Sequence, residues 1–117
     1  MAAPNIVAVA TINGKSAVAQ DIGTGGTTVV TNAAASGLVF KVNAVFASNT
    51  TGSDTSVSVY LLRSSVEYAI CQSIVLPSGT TLDVLGSSVY LEEDDSLKVV
   101  SGIANSVDAV VSYEEIS

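Results

Sequence analysis

The sequence predicts an all-β fold, an antiparallel β-sandwich of the jelly-roll or Ig-like kind with about 8–10 short strands. Three observations carry this expectation. Of 117 residues, 36 are β-branched (19 Val, 7 Ile and 10 Thr), and such side chains are stiff in ways that suit a pleated strand better than a helix. Apolar and polar residues alternate with period two through several segments, while no apolar 3.6-residue period is sustained over three turns. Turn-forming residues recur at spacings of roughly 8–12 residues, the rhythm of a sandwich or barrel.

The N-terminal runs 6–12 and 15–22 flank Asn13-Gly14. Asn-Gly between two β-rich runs is a hairpin signal, because a type I′ turn needs positive φ at both central residues. A paired hairpin is therefore expected here. Gly23-Thr-Gly-Gly26 ends it, Thr27–Thr31 makes a short third strand, and residues 32–37 read as a loop. Gly23-Thr-Gly-Gly26 is no phosphate-binding loop, since it continues into Thr27-Thr-Val-Val rather than Lys-Ser/Thr and a helix.

From residue 40 the alternation is clean. Phe40, Val42, Ala44 and Phe46 are expected on one face, with Lys41 and Asn43 on the other. Residues 49–54 form a loop of turn formers. Val57, Val59 and Leu61 share the next face. The strand from Val66 to Leu76 puts Tyr68, Ile70 and Ile74 on one side, against Glu67, Cys71 and Ser73, and Pro77-Ser-Gly79 stops it. Further strands are expected at 80–85 (Leu82 and Val84 inward, Asp83 outward), 89–91, 97–100, 102–106 and 107–113.

At this length the chain forms a single β domain, residues 1–117. Its composition shifts near residue 37, from Ala/Gly/Thr-rich to more regular and charge-bearing. Residues 37–117 are read as the core sandwich, and residues 1–36 as an N-terminal hairpin or arm that either joins the sandwich or contacts neighbouring subunits.

What is missing excludes much chemistry. The chain has no His and a single cysteine, Cys71, which rules out His/Cys zinc sites, intrachain disulfides and Ser-His or Cys-His nucleophile pairs. No enzyme and no cofactor are expected. The net charge of −7, with Lys15, Lys41, Arg63 and Lys98 the only cations, argues against nucleic acid as a partner. The apolar runs are too short to span a bilayer, so no membrane is expected either. Residues 1–5 lack a basic n-region, and 6–10 are too brief for a signal-peptide core, so the expectation is a product made without Sec export.

Several strands carry apolar residues on both faces. Val7, Val9, Val45, Leu62, Val100 and Val110 oppose other apolar residues, whereas a lone sandwich exposes polar ones. Only 13% of residues are charged, about half the usual share for soluble domains. Both facts predict a homo-oligomer or a subunit docked on a larger surface, with those six residues at the interface, set against the simpler reading of a monomer with scattered surface valines.

Four acids, Glu92, Glu93, Asp94 and Asp95, are the densest polar feature and the candidate calcium ligands, set against the simpler reading of a solvated turn. Glu67, Asp83, Asp108 and Glu114 are the carboxylates that a sandwich-type hydrolase would have to pair. Asn49-Thr50-Thr51 matches a glycosylation sequon. Cys71 has no basic neighbour in sequence and reads as a small core or interface hydrophobe.

The runs Phe40-Lys-Val-Asn-Ala-Val-Phe-Ala-Ser-Asn49, Val57-Ser-Val-Tyr-Leu-Leu-Arg-Ser-Ser65, Leu76-Pro-Ser-Gly-Thr-Thr-Leu82, Val89-Tyr-Leu-Glu-Glu-Asp-Asp-Ser-Leu-Lys-Val99 and Val111-Ser-Tyr-Glu-Glu-Ile116 resemble small structural proteins of tailed bacteriophage virions, including those of cyanophages. Within that group the chain is most similar to capsid decoration, or cement, proteins. The resemblance implies a non-enzymatic domain that stabilises the shell by binding major capsid protein on the outer surface of the capsid, after synthesis in the host cytoplasm. It also implies a homo-oligomer, a dimer or trimer, and carries no catalytic or ligand-binding residues with it. A neck, tail or fibre component of the virion, and a β-sandwich carbohydrate-binding module, are the alternatives.

Overall fold

A computed structural model of the chain describes residues 11–117. These form nine strands: β1 (Ile12–Ala19), β2 (Thr27–Thr31), β3 (Val39–Asn49), β4 (Thr55–Arg63), β5 (Val66–Leu76), β6 (Thr81–Asp83), β7 (Val89–Leu91), β8 (Ser96–Ser101) and β9 (Val107–Ile116). Sheet A takes the order β1-β9-β3-β6, with β7 also on β3; sheet B takes the order β2-β8-β4-β5. Every pairing is antiparallel. With β6 and β7 counted as one interrupted strand, two four-stranded sheets exchange strands in the double Greek-key manner of a jelly roll. The expected sandwich is thus present, in its jelly-roll form.

The core lies between the sheets. Cross-strand rows such as Val45 with Val111 and Ala47 with Ala109 on sheet A meet Val59 with Val99 and Leu61 with Leu97 on sheet B. Small and branched side chains suit this space, because two twisted sheets only about 10 Å apart leave room for one interdigitated layer. Two buried asparagines fasten the loops at either side. Asn32 Nδ2 donates to the Leu38 and Leu91 carbonyls at 2.9 and 3.1 Å. Asn49 Nδ2 donates to the Ser53 and Leu76 carbonyls at 2.7 and 3.0 Å.

The chain departs from the sequence expectation at four places. Asn13-Gly14 is not a turn. It lies inside β1, where Asn13 pairs with Glu115 and Gly14 with Glu114 in unbroken register. The long-range partner β9 overrides the local signal. The type I′ geometry appears instead at Ser64-Ser65, with φ of 55° and 62°, between the paired Arg63 and Val66. From residue 11 onward the N-terminal stretch joins the sandwich, with β1 and β2 built into the two sheets, while residues 1–10 lie outside the described residues.

The second departure is a β-bulge. Val42 pairs with Tyr113 and Ala44 with Ser112, so Asn43 is an extra residue that turns the rest of β3 over. Val45 and Ala47 point into the core, fully buried, and Phe46 is 41% exposed. Third, Leu82 is expected inside, yet it is exposed on β6, an edge strand of sheet A; Tyr68 and Ile74 are exposed on β5, an edge strand of sheet B. Fourth, residues 102–106 form no strand but the turn between β8 and β9, closed by Ser101 and Ser106 hydroxyls bonding to each other and to the Ile103 carbonyl.

Candidate functional site

The acidic turn between β7 and β8 is organised by one cation. Arg63, at the end of β4, donates from Nε to Asp95 Oδ1 at 2.9 Å and from Nη2 to Asp95 Oδ2 at 2.6 Å and Glu92 Oε2 at 2.7 Å. Asp95 also accepts the Glu92 N–H at 2.8 Å, closing the turn on itself. Glu93 turns away and accepts the Gly37 N–H at 3.0 Å. Burial pushes the Asp95 carboxyl up, but the Arg63 hydrogen bond, the Glu92 N–H and the Arg63 charge together bring it below the usual carboxylate range.

Two of the four acids, Glu92 and Asp95, therefore hold the turn shut, and Glu93 ties it to the loop at Gly37. Among the described residues no three His, Cys, Asp or Glu side chains converge as a metal site would require. The shallow recess lined by Arg63, Ser64 and residues 92–95 is a clasp between sheet B and the β7–β8 turn.

The other carboxylates are dispersed. Glu67 is on sheet B and bonds Lys98 at 2.6 Å. Asp83 sits on β6, where its Oδ1 accepts the Val45 and Leu85 N–H groups. Asp108 and Glu114 are on one face of β9, six residues apart and so separated by about 20 Å of strand. No pair flanks a cleft. The sequon residue Asn49 is buried, with its amide nitrogen donating to two carbonyls and its Oδ1 accepting from the N–H and hydroxyl of Thr51. Cys71 is half-buried on β5, and burial raises its thiol above the ordinary value.

What remains is a surface, the outer face of sheet A. Residues paired directly across antiparallel strands share a face, so the register maps this surface row by row. Val18 of β1 pairs with Val110 of β9, Val110 with Phe46 of β3, and Phe46 with Asp83 of β6. The three apolar members are 74%, 40% and 41% exposed. At about 4.8 Å between strands they form a continuous apolar row roughly 10 Å long. Ser16, Ser112 and Ala44 make the smooth row beside it. Asp83 ends the apolar row, and Asp108 stands two residues along β9 from Val110.

Of the six interface candidates, Val110 lies in this row. Leu62 and Val100 are half-buried on the outer face of sheet B, where Leu62 pairs with Ser96 and Val100 with Ser58. Val45 is corrected to a core residue, since the bulge at Asn43 turns it inward. Val7 and Val9 lie outside the described residues. Reading the chain segment by segment missed Val18 and Phe46. The exposed Phe46 is announced only by the bulge, which leaves no mark on alternation. Val18 stands in a small-residue run where either face looks equally apolar.

No family model and no curated protein matches the chain. Among solved structures it is similar to a chain from the Bacillus structure described by the words "Bacillus endospore appendages form a novel family of disulfide-linked pili". The TM-score is 0.53 and the identity 12%, covering 89% of this chain and 87% of that one. At that identity the likeness is one of fold.

Proposed function

We propose that this chain is a non-enzymatic structural subunit that works by surface contact, and specifically a capsid decoration protein that binds major capsid protein through the outer face of sheet A. The single observation that carries the reading is the exposed row Val18, Val110 and Phe46. Exposed aromatic and branched residues contiguous across three strands suit a protein-binding surface. The acids at its end, Asp83 and Asp108, favour a partner that sets Lys or Arg around an apolar centre.

Three further facts support it. The motifs of residues 40–116 resemble virion proteins. The jelly roll is a fold that viral capsid domains use, although a fold hosts many functions. The dispersed carboxylates offer no catalytic arrangement among the described residues. A fibre subunit is the second reading, favoured by the likeness to an appendage chain.

Cosedimentation with particles lacking the protein is the test. The whole chain is expected to bind shells saturably, and Val110→Lys or Phe46→Ser to weaken binding at least about tenfold, the size of a 1.4 kcal/mol loss. Binding to tails, or growth into filaments without shells, would transfer support to the second reading.

A further inference from the structure

Nothing among the described residues requires a glycine at one position of edge strand β1. Gly14 lies in the interior of edge strand β1, without the positive φ that would call for glycine, and a Cβ there would meet nothing within 4 Å. A strand glycine weakens the strand and commonly marks a bulge or the close approach of another backbone. β1 has no bulge, because its register with β9 runs unbroken from Ile12 to Ala19.

The free edge of β1 has a defined parity. Thr11 and Ser117 exchange two hydrogen bonds of 2.9 Å, so they form a hydrogen-bonded pair, and residues 13, 15, 17 and 19 likewise turn their backbone groups toward β9. Ile12, Gly14, Ser16 and Val18 turn theirs outward, where no other described strand pairs with them. The other long edges are interrupted: β2 and β5 carry register shifts, a common defence of edge strands. β6 is only three residues long.

We infer that β1 pairs with β1 of a second copy of this chain, antiparallel about a two-fold axis at Ser16, joining two copies of sheet A into one continuous sheet. Only residues of like parity can face each other, which restricts the centre. Centring on Lys15 would set like charges directly opposite, which is destabilising. Centring on Ser16 places Lys15 beside the second copy's Ala17, and Gly14 directly opposite the second copy's Val18. The 74% exposed Val18 side chain then lies over the open space above a glycine, twice by symmetry.

Charge also favours a second copy at this edge. The chain carries a net −7, yet the one charge on β1 is Lys15, 3.1 Å from Glu115, so no acid of β1 opposes another. The edge shares Val18 with the outer row of the proposed shell contact, but the backbone pairing draws on none of that contact and stands whether or not it exists.

Sedimentation velocity over a concentration series tests the inference on the whole chain. The unsubstituted protein is expected to dimerise reversibly. Ser16→Pro removes an outward N–H and leaves the β9 ladder its bonds, so it is expected to raise the dimer dissociation constant at least about tenfold while the circular dichroism of the fold persists. Gly14→Val should weaken dimerisation while stabilising the monomer, a split of sign that a purely structural glycine would not give.

Should Ser16→Pro fail to fold, register decides. In a Cys71→Ser background under copper–phenanthroline oxidation, Ser16→Cys is expected to cross-link and Lys15→Cys not. A monomer persisting to about 500 µM, an affinity unchanged in Ser16→Pro, or cross-linking by Lys15→Cys in preference to Ser16→Cys would overturn the inference.

Discussion

Arg63 and Asp95 bond at two points across the gap between β4 and the β7–β8 turn, at 2.9 and 2.6 Å, with the Asp95 side chain 2% exposed and the arginine 45% exposed. A buried carboxylate of this kind is tolerated because both its oxygens accept hydrogen bonds, one from Arg63 at Oδ1 and two at Oδ2 from Arg63 and the Glu92 N–H. Its removal leaves Arg63 a solvated cation, but strips the Glu92 N–H of its acceptor and unlatches the turn. Asp95→Ala is expected to cost about 2 kcal/mol, the size of a lost charge-assisted bond with a donor left unpaired, read as a urea midpoint shift. Arg63→Ala should cost more than an exposed ion pair would, because it leaves Asp95 charged and buried.

The same pair sets a pH dependence. Because the Asp95 carboxyl is held below its usual range, the folded chain binds fewer protons there than the unfolded chain. Its contribution is therefore fully present above the unfolded value of about 3.9 and is lost as pH falls through the lower folded value. Urea unfolding between pH 5 and pH 2 is expected to show a steeper loss of stability in the natural chain than in Asp95→Asn. Equal slopes would remove Asp95 from the acid response.

Adjacent residues on β3 should behave oppositely. Val45 is fully buried and Phe46 is 41% exposed, on either side of one strand. Val45→Ala is expected to cost about 2 kcal/mol by leaving a cavity between the sheets. Phe46→Ser should stay within about 0.5 kcal/mol in the free domain, as surface changes do, while weakening attachment to the partner. Thermal unfolding of the two variants distinguishes the bulged strand from the regular one that alternation predicts.

Asn49 offers a fourth check. Its amide spans two loops, so Asn49→Asp exchanges two donors for acceptors facing the Ser53 and Leu76 carbonyls. The expected loss is about 2–3 kcal/mol, since buried carbonyls are left unpaired beside a charge. The natural side chain should also resist glycosylation in the folded protein, readable by mass after exposure to an oligosaccharyltransferase.

Much of this architecture is legible in the residues themselves. Val57, Val59 and Leu61 share the face that period two assigns them, with Val57 and Val59 fully buried, and Thr27–Thr31 forms the short strand its β-branched run predicts. The departures have a common physical cause: cross-strand partners, distant in sequence, override the local signals. Asn13-Gly14 carries a strong turn preference, but eight residues of pairing with β9 outweigh it. Asn43 inverts the facing of Phe46 through a bulge that depends on β9 rather than on its own neighbours. The Arg63 clasp was hidden for the same reason, since 32 residues separate its partners in sequence.

The measurement that bears most directly on the account is a cryo-EM reconstruction of intact particles at a resolution that distinguishes the two sheets. On the proposed function, this jelly roll is expected on the outer shell, seated with Val18, Val110 and Phe46 against major capsid protein and with basic residues of that protein beside Asp83 and Asp108. Density for the chain with this row facing solvent, or its location in the tail rather than on the shell, would contradict it.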